Sequence, residues 1–191
     1  MKKIIIVIAS VTVLCMIFCA CSVYYSESAQ YEGLDVHINR TENCCFVGKY
    51  TASGENEEIT VPDEYDGVPI TSLGGYYGRG MPTPFYIDLK DAFYSVPPSD
   101  SDHRITGKDS LGSEEIQDIV FTLNIGKNIK ELKKINSAYF YPNVDENGDV
   151  CYYHAVVYVN CSEDNPVFYS EDGRLFSRET NELVTSFDYS E

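Results

Sequence analysis

Three histidines and seven cysteines carry the widest chemical repertoire in this chain. Nucleophilic catalysis needs a thiol or hydroxyl within reach of a base, and Cys151 with His154 is the nearest such pair along the sequence. Three residues apart on one expected strand, they fall on opposite faces and make no Cys-His couple. His37 and His154 alternate within apparent strands and His103 lies in a polar loop, positions that suit surface or hydrogen-bonded histidines. No Gly-x-Ser-x-Gly elbow, phosphate-binding loop or His-Glu-x-x-His zinc pair occurs. With 30 Asp and Glu residues, any one carboxylate pair is uninformative as an acid and base. Asp145-Glu146-Asn147-Gly148-Asp149 looks superficially like a calcium loop, but position 156 is Val where an EF-hand needs its bidentate Glu, so it reads as a turn. Asn39-Arg40-Thr41 and Asn160-Cys161-Ser162 match the glycosylation sequon and are given no role. The expectation is no catalytic residue, no metal, no cofactor, and a protein that is not an enzyme.

Chemistry of another kind is written at the N-terminus. Lys2 and Lys3 precede an apolar run over residues 4–20, and Cys21-Ser22 follows. A charged start, an apolar middle and a small residue before the cut is the layout of an export signal. Ala20-Cys21 resembles the end of a bacterial lipoprotein signal, in which the cysteine becomes the first mature residue and its thiol carries diacylglycerol. Phe18 and Cys19 depart from the Leu and small residues usual there. The alternative is an uncleaved anchor helix, since the 17-residue run, broken only by Ser10 and Thr12, sits at the short limit for a span of roughly 20. Both readings put the rest of the chain outside the cytoplasmic membrane. The expected division is a signal peptide at 1–20, a lipid-attached polar tether at 21–33 and a folded domain at 34–191.

Net charge is −16, and loss of Lys2 and Lys3 with the leader takes it to −18. That sign disfavours nucleic acid and anionic membrane, which basic patches normally recognise. Sixteen Tyr and no Trp fit a β-rich extracellular domain without identifying a ligand. With the leader and Cys21 set aside, Cys44, Cys45, Cys151 and Cys161 remain. Export permits disulfides. Cys44 or Cys45 with Cys151 or Cys161 is the more plausible pairing, because adjacent cysteines strain the ring; free buried thiols are an equal alternative.

These side chains need a scaffold, and the pattern for one is mainly β. Leu34, Val36 and Ile38 alternate, and Cys45, Phe46, Val47 and Tyr50 form a second run, which together predict an N-terminal hairpin. Residues 75–112 are too rich in Pro and Gly for a continuous helix or central strand. Ser113 could cap one helical turn over 113–118. The Tyr139-Phe140-Tyr141 cluster and the Asn147-Gly148 turn predict a hairpin that returns through residues 151–159. Val156 to Val159 reads as a strand and Ser170-Glu171-Asp172-Gly173 as a tight turn; Leu175-Phe176, the polar tip 178–181 and the return over 182–185 read as a closing hairpin, with 187–191 as a tail.

The order of a valine strand, Ser162-Glu163-Asp164-Asn165-Pro166, Phe168-Tyr169-Ser170 and Glu171-Asp172-Gly173-Arg174-Leu175-Phe176 resembles the BspA-like leucine-rich repeats of bacterial surface proteins. Ile59-Thr60-Val61-Pro62 with Ile70 and Leu73, and Leu123-Asn124-Ile125-Gly126 with Ile129 and Leu132, look like two further copies. Matching Val61, Ile125 and Val159 gives offsets of 64 and 34 residues, whereas regular repeats run about 20–29. The resemblance implies a short, irregular leucine-rich-repeat solenoid of stacked strands with hairpins at both ends, behind a signal or anchor helix. It further implies an adhesin-like surface role toward an unknown protein or cell-surface partner; the membrane is engaged through the lipid that the leader predicts on Cys21. Tyr76, Tyr77 and Arg79, held in a loop by neighbouring glycines, are the candidate binding residues. A second reading is a solute- or glycan-binding lipoprotein using Tyr76-Tyr77, Tyr139-Phe140-Tyr141 and Tyr152-Tyr153. A third, a surface hydrolase, lacks a triad or metal set.

Overall fold

A computed structural model describes residues 27–77, 81–89, 105–106, 115–133, 135, 139–144 and 150–190. All regular structure among them is β. The first sheet begins as a meander of β1 (Glu27–Tyr31), β2 (Leu34–Asn39) and β3 (Cys44–Thr51). Along β2 the buried Leu34, Val36 and Ile38 alternate with half-buried Asp35, His37 and Asn39, as a half-covered strand requires. β3 breaks that rhythm, since Cys45, Val47 and Tyr50 all point inward. Gly48 is the extra residue, because Asp35 pairs with Lys49 and Val36 with Val47. A bulge of this kind shifts inward parity by one. A Cβ at Gly48 would lie 2.8 Å from Thr83 Cγ2 and 3.1 Å from His37 Nε2, so only glycine fits without displacement.

β4 (Glu58–Thr60) belongs to the second sheet, while β5 (Glu64–Tyr65) and β6 (Val68–Leu73) return to the first as a hairpin about Asp66 and Gly67, both at positive φ. β6 runs parallel to β3, β7 (Gly75–Tyr77) and β8 (Met81–Thr83) form a separate hairpin, and β9 (Tyr86–Asp88) lies parallel to the far end of β3. The second sheet runs β10 (Ile105–Thr106), β13 (Tyr139–Val144), β14 (Val150–Cys161), β11 (Glu115–Ile125), β4. β12 (Glu131–Leu132) sits on the outer side of β6 and places Leu132 beside Leu73. The hairpin of β15 (Phe168–Glu171) and β16 (Arg174–Ser177) turns at Asp172 and Gly173, with φ of 48° and 74°, the double positive φ of a type I′ turn. One apolar core joins the two sheets: Val36, Val47, Ile70 and Leu73 from the first meet Ile59, Phe121, Leu123 and Val159 from the second.

The leucine-rich-repeat solenoid is overturned by this topology. A solenoid winds equivalent coils so that strands of one kind stack in parallel and the stack curls. Here both larger sheets mix parallel and antiparallel neighbours, neither curls into a coil, and the described residues contain no helix. The three apolar ribs do share a sheet, with Ile59 beside Leu123 and Leu123 beside Val159. Their likeness stops at that adjacency. β11 and β14 are eleven and twelve residues long, and β14 is flanked on its other edge by antiparallel β13, so they are not short rungs of a repeat. The adhesin-like role that rested on a repeat surface loses its basis with the solenoid, and so does its solute- or glycan-binding alternative as an inference from that fold.

Three local expectations also change. Residues 115–118, expected in a helical turn, are the start of β11, paired rung by rung with β14. Residues 27–31, expected in the tether, form β1 and pair fully with β2. Residues 187–190 are not a loose tail: Phe187 is buried, and Val157 N donates to Asp188 O at 2.8 Å while Ser190 N donates to Val157 O at 3.0 Å. The signal or anchor helix at 1–20 and Cys21 lie outside the described residues.

Candidate functional site

Two places display side chains with recognition chemistry. The first is the β7–β8 hairpin. Gly74 N donates to Val47 O at 2.8 Å, which fixes the chain where it leaves β6. Gly75 then passes directly over the Phe46 ring, where a Cβ would lie 2.6 Å from Phe46 Cγ. Pinned there, the chain turns Tyr76 outward, 60% exposed. A phenol so placed offers a rigid apolar face and a hydroxyl at low entropic cost, the combination favoured at interfaces. Tyr77 continues β7 opposite Met81. Arg79 lies outside the described residues.

The second is the outward face of the second sheet. Parallel pairing of β11 with β14 sets Asp118 beside His154, Thr122 beside Tyr158 and Asn124 beside Asn160. At the carboxyl ends of the strands the amides form a polar ladder. Asn160 Nδ2 donates to Asn124 Oδ1 at 3.0 Å, and Asn124 Nδ2 donates to Glu58 Oε1 at 2.6 Å and to Thr60 Oγ1 at 3.2 Å. Further along β14, Tyr158 stands 43% exposed with its ring against the backbone of Gly173. That ring, together with Glu171, Asp172, Arg174, Phe176 and Ser190, lines an open cleft of about 440 Å³.

At the other end of the same face His154 is held by two carboxylates. Its Nδ1 lies 2.9 Å from Asp118 Oδ1 and its Nε2 lies 3.0 Å from Asp188 Oδ2, with the side chain only 12% exposed. Burial alone would lower the His154 pKa, but the hydrogen bonds and charges of Asp188 and Asp118 outweigh it, and the pKa is raised. A ring with a carboxylate at each nitrogen donates at both when protonated, so it clamps rather than accepting a proton from a substrate. His37 behaves oppositely. Stacked on Phe46 with centroids 4.5 Å apart, it has its pKa lowered by burial, against a smaller raising effect of Asp35.

Cys44, Cys45 and Cys161 carry free thiols. Burial pushes Cys161 up to about 11, and Cys45 likewise to about 11, chiefly by burial with a smaller push from Cys44; Cys44 is also raised, first by burial. Such thiols are protonated at neutral pH and are poor nucleophiles. The Cys151 side chain lies outside the described residues. Among the described residues no three His, Cys, Asp or Glu groups come together to hold a metal. Of the aromatic clusters, Tyr152 and Tyr153 are half-buried in β14, and residues 139–141 lie on β13.

The His154 clamp and the Tyr158 cleft were not among the expected sites. The missed signal is the offset. Leu123 pairs with Val159, 36 residues on, whereas matching Ile125 to Val159 puts Tyr152 beside Asp118 and hides the ion pair. No protein-family model, curated protein or solved structure matches this chain.

Proposed function

We propose that this chain is an exported bacterial protein, anchored to the outer face of the cytoplasmic membrane by lipid on Cys21, and that its acidic β domain is a non-catalytic contact module for a protein partner. The observation that carries the proposal is Lys2-Lys3, the apolar run to Ala20 and Cys21, followed after five residues by the first strand at Glu27. Five residues reach at most about 17 Å, so the leash holds the folded domain close to the lipid surface. Two acyl chains on one cysteine meet the requirement for stable anchoring. A remainder charged −18 once Lys2 and Lys3 are removed is repelled by anionic headgroups and by nucleic acid, which favours contact with protein. Exposed Tyr76 and Tyr158 are the contact side chains of first choice. Support for a non-catalytic role comes from the raised thiols and from His154, whose two nitrogens are already engaged.

The test is metabolic labelling with an alkyne fatty acid in cells carrying wild type or C21A, followed by fractionation. Label on membrane-bound wild type, lost together with maturation in C21A, is the expected result. Membrane-bound but unlabelled wild type would overturn lipid anchoring in favour of a retained apolar anchor.

A further inference from the structure

The C-terminal segment is tied to the second sheet where β13 ends. β13 covers one edge of β14 as far as His154, opposite Phe140. Beyond that point residues 187–190 take over the same edge: Val157 N reaches Asp188 O at 2.8 Å, and Ser190 N reaches Val157 O at 3.0 Å. Phe187 anchors the segment in the core, and Tyr189 donates to Val184 O at 2.6 Å. Asp188 of this strap forms an ion pair with His154 of the sheet, and the same ring holds Asp118 of β11. The strap ends at the Tyr158 cleft, where Ser190 supplies part of the wall.

We infer that His154 is a proton-operated latch: as an imidazolium it ties the strap to β11, and loss of its proton loosens residues 187–190 and opens the Tyr158 cleft at Ser190. A neutral imidazole has one N–H. With carboxylates 2.9 and 3.0 Å from its two nitrogens, the neutral ring donates to one and turns a lone pair toward the other. Among the described residues, the charged groups facing the ring are Asp118 from β11 and Asp188 from the strap. Its own strand supplies Tyr152 on the same face, and β13 brings Phe140 opposite. Binding of strap and proton is therefore mutual. Each pH unit by which docking raises the His154 pKa weakens the docked state tenfold on deprotonation.

The test is hydrogen exchange of the full chain in detergent micelles, corrected for intrinsic rates, read at Val157 and Ser190, beside an NMR titration of His154. Wild type should titrate above 6.5, the ordinary histidine value, with protection at both amides lost over the same pH interval and level once the ring is neutral. H154N should be weakly protected there at every pH, and D188N likewise. Both should keep wild-type protection at Leu123 in the core, which separates strap release from unfolding. Protection at Val157 and Ser190 that ignores the His154 titration, or H154N protected like wild type, would overturn the latch.

Discussion

Replacing Asn165 tests the packing between turns most sharply. This side chain is 1% exposed and spends its whole hydrogen-bonding capacity. Nδ2 donates to Gly126 O at 2.8 Å and Ile129 O at 2.9 Å, and Oδ1 accepts from Val167 N at 2.9 Å and Phe168 N at 2.8 Å. It thereby ties the turn after β14 to the turn after β11. N165A leaves four backbone groups without partners. At about 1–3 kcal/mol for each group that stays buried, and with water reaching some of them, a loss of about 2–4 kcal/mol is expected. That is a large share of the roughly 5–15 kcal/mol that holds a domain together. With a urea slope near 2 kcal/mol/M, the unfolding midpoint should fall by about 1–2 M. N165D keeps the acceptor but turns a carboxylate oxygen on two carbonyls. The buried acid then has a raised pKa, so its penalty is smallest below the ordinary Asp value near 4 and grows as pH rises through the folded value. Urea unfolding followed by far-UV circular dichroism should place N165D below N165A at pH 7, with the gap closing on acidification. An N165A midpoint within about 0.3 M of wild type, or N165D as stable as wild type at pH 7, would refute the claim that Asn165 joins the two turns.

Other predictions concern titration, a close contact and thiol reactivity. His154, raised above 6.5, contributes stability that is complete below 6.5 and lost as pH climbs through its folded value; H154N should remove that alkaline limb from a stability–pH curve. His37, lowered below 6.5 by burial, costs stability as pH falls below 6.5, and H37F should flatten that acid limb. Gly173 sits at φ 74° with room for a Cβ only 2.2 Å from Tyr158 Cδ2. G173A should therefore cost about 1–3 kcal/mol from left-handed strain and ring displacement, and Y158A should recover part of it in a double-mutant cycle measured by urea unfolding. Cys161, pushed up to about 11, should be about a thousandth thiolate at pH 8 and alkylate far more slowly than a free peptide thiol. Equal rates would contradict its burial.

Local pattern was legible wherever one face of a strand is covered. Leu34, Val36 and Ile38 announce β2 because they alternate with polar, half-buried residues, and Asp172-Gly173 announces its turn because both residues need positive φ. β1 was illegible for the converse reason. An edge strand reading Glu-Ser-Ala-Gln-Tyr, with neither face deeply buried, has no apolar alternation to show. The start of β11 was read as a helical turn because Glu114 and Glu115 suit a helix N-terminus, yet the long parallel contact with β14 decides the matter. The register error between β11 and β14 was two residues, which keeps every side chain on its proper face and so leaves the hydrophobic pattern unchanged. For that reason the core was largely readable while the His154 clamp, which depends on the rung, was not. The tertiary arrangement went astray for a similar reason: apolar ribs of equal spacing state that strands lie together, not whether their outer neighbours run parallel or antiparallel.

Mass spectrometry of the mature N-terminus, taken from membranes of the natural host, tests membrane attachment most directly. The account predicts that the first residue is Cys21, heavier by a thioether-linked diacylglycerol, with no peptide containing Lys2 and Lys3. An unmodified Cys21, or a mature chain that still carries the leader, would contradict it.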